Sequence, residues 1–90
     1  MLASYWEATQ NDIQDLLSAL KKEDRLIAKQ VAHRIKGAAK IVMANEIVSL
    51  SEDIETKASE ASFMELIGRA EELSKALVAH RENIEVVKSA

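Results

Sequence analysis

The sequence predicts an all-α domain, an up-down-up-down antiparallel four-helix bundle. Three observations lead there. The 90 residues contain no proline and only two glycines, so little in the chain breaks a helix. Apolar residues recur at helical spacing in four separate runs. Short polar stretches join the runs, and short connections favour antiparallel neighbours. A chain of this length makes one domain, residues 1–90, around one modest core.

The first helix is expected over about Ser4 to Leu20, with Trp6, Ile13, Leu16, Leu17 and Leu20 on one face. Lys21-Lys22-Glu23-Asp24 is a charged break, and Asp24 is placed to cap the next helix. That second helix runs about Arg25 to Met43, with Ile27, Val31, Ile35, Ala38 and Val42 as its apolar stripe. Asn45 is the expected turn or cap before a third helix, about Glu46 to Lys57, whose apolar face is Ile47, Leu50 and Ile54. Ala58 to Ser62 reads as a connection, with Ser62 and Glu65 spaced as a capping box. The fourth helix starts near Phe63 and extends to about Val87. Phe63, Leu66, Ala70, Leu73, Leu77, His80, Ile84 and Val87 follow the 3–4 spacing of bundle packing.

Composition narrows the function classes. Cysteine is absent, so there is neither a disulfide framework nor a thiolate metal site, which fits a cytoplasmic setting. No apolar run approaches the roughly 20 residues that span a bilayer, so direct membrane contact is not expected. The net charge is −3 with both signs interspersed, unlike the dominant basic stripe of a nucleic-acid binder. No Gly-rich phosphate loop is visible, and two histidines among scattered carboxylates lack metal-ligand spacing.

The chemistry concentrates in the second helix. Taking Val31 as zero and about 100° per residue, His33 lies near 200°, away from the core. Lys29, Lys36 and Lys40 fall at about 140–180° and Gly37 near 240°. An imidazole, ammonium groups and a bare stretch of backbone therefore share one strip. Glycine within a helix costs about 0.5–1 kcal/mol relative to alanine, so Gly37 points to steric access beside His33.

Hairpin arithmetic supplies a partner. If the second and third helices turn around Ala44, His33 lies 11 residues before the turn and Glu55 lies 11 after it. An antiparallel pair brings them level at about 1.5 Å rise per residue. A carboxylate there would accept from Nδ1–H, fix the tautomer and leave Nε2 as the nucleophile.

The run Ala32-His33-Arg34-Ile35-Lys36-Gly37-Ala38-Ala39 resembles the active-site helix of the histidine phosphotransfer domain, the relay module of multistep two-component signalling. Helix lengths and order extend the likeness over most of the chain, nearest to the C-terminal modules of bacterial hybrid sensor kinases. The resemblance implies a phosphoacceptor at His33 and a Gln or Glu 22 residues later, where Glu55 stands. Two positions depart from the family pattern. Lys40 stands where a small residue is common, and Met43 where glycine is common.

The expected function is a phosphorelay intermediate that takes a phosphoryl group from a receiver-domain aspartate onto His33 and passes it to another. Lys36, with Lys40 or Lys29, would neutralise the moving group, and Glu55 would orient the imidazole. Receiver docking would use Leu26, Lys29, Gln30 and Arg34. Gly37, Lys40 and Ile41 would extend that surface along the helix. The resemblance also implies Mg²⁺ on the partner receiver, no cofactor on this chain, and no ATP-dependent kinase activity of its own. The expected setting is a monomeric module in the cytoplasm, or at the cytoplasmic end of a membrane-bound sensor kinase. The alternative is an adaptor bundle that binds a partner helix without phosphoryl chemistry. His80, with no Lys-Gly pair after it, reads as a structural histidine.

Overall fold

The structure is a computed structural model that describes the backbone of residues 2–89 and the side chains of residues 5–80. Its four helices are α1 (Leu2–Lys21), α2 (Arg25–Ile41), α3 (Asn45–Lys57) and α4 (Phe63–Ser89). Helix α1 packs on α2 and α4, and α3 packs on the same two, so the four make a square bundle. The rod measures 43 × 19 × 19 Å. Its long axis is set by α4, whose 27 residues rise about 40 Å. Ile84 and Val87 of the expected α4 stripe lie outside the described side chains.

The core is aliphatic. Leu16, Leu20, Ile35, Ile47, Ile54, Leu66 and Leu73 are fully enclosed. Each such side chain contributes about 1.5–3 kcal/mol on leaving water. Ser51 is buried too, and its hydroxyl donates to the Ile47 carbonyl one turn back at 2.6 Å.

Helix α2 meets the core through a different arc from the one expected. Ala28, Val31, Ala32, Ile35 and Ala39 are its buried residues. On the sequence wheel these centre about 50° past Val31. Ile27 then falls at the margin and stays 42 % exposed, which corrects its place in the stripe. The small alanines, not only the branched residues, make the contact.

The two tight turns share one construction. Glu23 donates to the Leu20 carbonyl and Asp24 to that of Ala19, and Met43 and Ala44 repeat the pattern onto Lys40 and Ala39. Each is a Schellman ending with a left-handed residue, Glu23 and Met43, both at φ 59°. Helix α2 therefore ends at Ile41 rather than Met43. Met43 adopts the conformation that glycine takes most easily, at the position where the family pattern carries glycine. Asp24 caps α2 as expected, accepting from the Ile27 N–H at 3.1 Å. Asn45, by contrast, lies inside α3, and Ala44 holds the cap position without a side-chain hydrogen bond. Ser62 accepts from the Glu65 N–H at 3.1 Å, the first half of the expected capping box. The Glu65 carboxylate turns instead toward Arg69, at 3.7 Å.

The connection from α3 to α4 is closed by a side chain. The Arg25 guanidinium donates to the Ala58 and Ala61 carbonyls at 3.0 and 2.6 Å. It also lies over the Phe63 ring, 4.2 Å from its centroid. This ties the start of α2 to the end of α3 and fixes how the two helices slide past each other.

Candidate functional site

That alignment brings His33 level with Glu55. The imidazole Nδ1 lies 2.8 Å from Glu55 Oε2, across 22 residues of sequence. A carboxylate can only accept, so Nδ1 carries the proton. In the neutral ring Nε2 then holds the free lone pair. The His33 side chain is 67 % exposed, whereas Glu55 is 18 % exposed in the groove between the two helices.

The second oxygen of the same carboxylate, Oε1, accepts from Lys36 Nζ at 2.6 Å. One carboxylate thus bridges two residues that are neighbours on α2. The hydrogen bond from Lys36 lowers the Glu55 pKa below the ordinary carboxylate value, against a smaller upward push from burial and with further help from His33. The same bond raises the Lys36 pKa above the ordinary lysine value. Lys36 is only 14 % exposed and leans toward α3. Its expected role is to stabilise the phosphoryl group, and in this structure its ammonium is engaged by Glu55.

Other expected residues divide into two groups. Leu26, Lys29, Gln30, Gly37, Lys40 and Ile41 are all exposed on α2, with Ile41 at 84 %. Arg34 also reaches solvent, yet its guanidinium is anchored on α1, 2.9 Å from Asp12 and 3.5 Å from Asp15. It braces α1 against α2 next to the histidine. A β-carbon built at Gly37 meets nothing within 4 Å, so internal packing does not require glycine there. Sequence reasoning missed the Arg25 clamp. Its only local signal was an arginine at the first position of a helix, where a positive charge has no electrostatic reason to sit.

The chain matches the family model for the Hpt domain over residues 1–86. It belongs to the Hpt domain family. A comparison with curated proteins found no significant match, and neither did a comparison with solved structures. As an Hpt domain the chain has a phosphotransfer-type role in two-component signalling, and domains of this family interact with receiver domains. They are phosphotransfer modules rather than kinases. Among the described residues of this Hpt domain, no helix is long and apolar enough to cross a membrane. Nor, among those residues, do three or more His, Asp or Glu side chains gather as a metal site would require.

Proposed function

We propose that this Hpt domain is a phosphorelay intermediate with Nε2 of His33 as its phosphoacceptor. The observation that carries the reading is the exposed imidazole whose Nδ1–H is held by Glu55 at 2.8 Å. The Nε2 lone pair attacks the phosphorus of an aspartyl phosphate on a receiver domain. The P–O bond breaks and its electron pair leaves on the aspartate. The P–N bond forms, Nδ1 keeps its proton, and the ring becomes cationic with the Glu55 carboxylate facing it. The second receiver aspartate reverses these steps.

Transfer of this kind depends on alignment and charge stabilisation more than on covalent catalysis by the carrier. Glu55 supplies alignment. The partner receiver supplies Mg²⁺ and its own acidic pocket, and this chain contributes no cofactor. The docking face is the exposed side of α2. Leu26 and Ile41 give it apolar contacts and Gly37 gives it close backbone approach. The domain acts as a monomer in the cytoplasm, alone or at the cytoplasmic end of a sensor kinase.

The test is transfer from a phosphorylated receiver. Wild type is expected to gain acid-labile phosphate and to lose it to a second receiver. His33→Gln is expected to gain none. Undiminished labelling of folded His33→Gln would overturn the reading, and unchanged signalling by that variant would favour an adaptor.

A further inference from the structure

Three lysines surround His33 on α2, and the structure separates them. Lys36 is half of an ion pair with Glu55 at 2.6 Å and points into the α2–α3 groove. Lys29 and Lys40 are exposed, and neither has an ion-pair partner among the described residues. Helical side chains lean toward the N-terminus of their helix. The Cα–Cβ bond of Lys40 therefore tilts toward His33, and that of Lys29 tilts away from it.

The row itself favours Lys40. His33, Gly37 and Lys40 stand at i, i+4 and i+7, one continuous line along the helix surface. About 10.5 Å of helix separates the first from the last. The residue between them has no side chain, and the space a β-carbon would take there is open. A phosphoryl group standing off Nε2 closes that gap from one side. The flexible four-carbon stem of Lys40 closes it from the other. Any larger residue at position 37 would stand in the way.

We propose that Lys40 contacts the phosphoryl oxygens of phosphorylated His33 across the bare backbone of Gly37, while Lys36 is a positioning residue that holds Glu55 against the imidazole. This deepens the phosphorelay reading of His33 and rests on it. It gives the departure at position 40 a role, because a small residue there would leave the phosphoryl group without this counter-charge. It also removes a conflict, because one ammonium need not serve both Glu55 and the phosphoryl group.

The experiment uses potassium phosphoramidate, which needs no receiver. Nε2 attacks phosphorus, the P–N bond of the reagent breaks and ammonia leaves. The ³¹P shift of the phosphohistidine is then recorded at a fixed pH above neutrality, and the His33 ring nitrogens are followed by ¹⁵N NMR before phosphorylation. In Lys40→Gln the ³¹P shift is expected to move, with unmoved His33 ¹⁵N shifts. Transfer from a phosphorylated receiver should slow about fivefold, as for loss of one charge contact in water. Lys40→Arg should restore both. In Lys36→Gln the His33 ¹⁵N shifts should move toward a mixture of tautomers, and the ³¹P shift should move less than in Lys40→Gln. A ³¹P shift that moves in Lys36→Gln and not in Lys40→Gln would overturn the assignment while leaving His33 as the acceptor. Failure of wild-type His33 to take up any phosphoryl group would overturn the relay reading and this assignment together.

Discussion

His33 and His80 carry the same imidazole into two different surroundings. His33 stands out from α2, 67 % exposed, with one ring nitrogen on Glu55 and an open glycine one turn away. His80 is half-buried on α4, edge-on to Trp6, with ring centroids 5.4 Å apart at 61°. Trp6 also meets Tyr5 edge-on at 4.8 Å, so His80 completes an aromatic cluster that closes the α1–α4 side of the bundle. A histidine becomes a candidate acceptor when a carboxylate fixes one nitrogen and nothing covers the other. It becomes packing when its ring face or edge meets another ring.

The largest expected effect separates the two directly. His33→Gln should abolish phosphoryl acceptance with little change in stability. His80→Gln should leave acceptance intact and lower stability by about 0.5–1.5 kcal/mol, the worth of an aromatic pair. Receiver transfer assays and urea unfolding on both variants check this, and equal loss of transfer in both would break the comparison.

Removing what makes His33 special should come next. Glu55→Ala frees the ring to rotate and change tautomer, and transfer should slow about tenfold without stopping, the scale of one charge-assisted hydrogen bond. A matching carboxylate placed near His80 should gain nothing. An unchanged rate in Glu55→Ala would make the carboxylate a bystander.

The pH dependence of the pair sharpens the same point. Glu55 has a lowered pKa in the folded chain, chiefly through its hydrogen bond with Lys36. Its contribution to stability is therefore present above the ordinary carboxylate value of about 4.3 and is lost as pH falls through the lower folded value. Lys36 has a raised pKa, so its contribution is complete below the ordinary lysine value and is lost as pH rises through the higher folded one. The His33–Glu55 contact should accordingly survive mild acid. In Lys36→Gln, ¹³C NMR of the Glu55 carboxyl should show it titrating at higher pH. No change would mean that Lys36 does not hold the carboxylate charged.

The smallest effect concerns Gly37. Because a β-carbon fits there, Gly37→Ala should stabilise the fold by about 0.5–1 kcal/mol, seen as a higher urea midpoint. Gly37→Leu should stay folded and transfer poorly. Equal transfer by wild type and Gly37→Leu would remove the access argument.

Much of this was legible in the sequence. The four helices and their order followed from periodicity. The pairing of His33 with Glu55 followed from counting residues about Ala44, because an antiparallel hairpin converts equal sequence distance into equal height. What was not legible depends on groups that meet only after folding. The end of α2 was misplaced because Met43 takes a left-handed conformation that its side chain does not advertise. Ile27 falls outside the core because the buried arc takes in Ala28, Ala32 and Ala39, whose small side chains carry little weight on a hydrophobic wheel. The Lys36–Glu55 contact was not legible either, because the helix surface alone does not show what a neighbouring helix presents to it. Arg25 bonds to carbonyls more than 30 residues away, which no local pattern encodes.

The central claim is that Nε2 of His33 is the nucleophile and that Glu55 makes it so. Site mapping tests it most directly. The ¹⁵N-labelled domain is phosphorylated, and the spin coupling from phosphorus to each imidazole nitrogen is measured. A single phosphorylated ring is expected, His33, with phosphorus on Nε2 and a proton retained on Nδ1. Phosphate on His80, or on Nδ1 of His33, would contradict it.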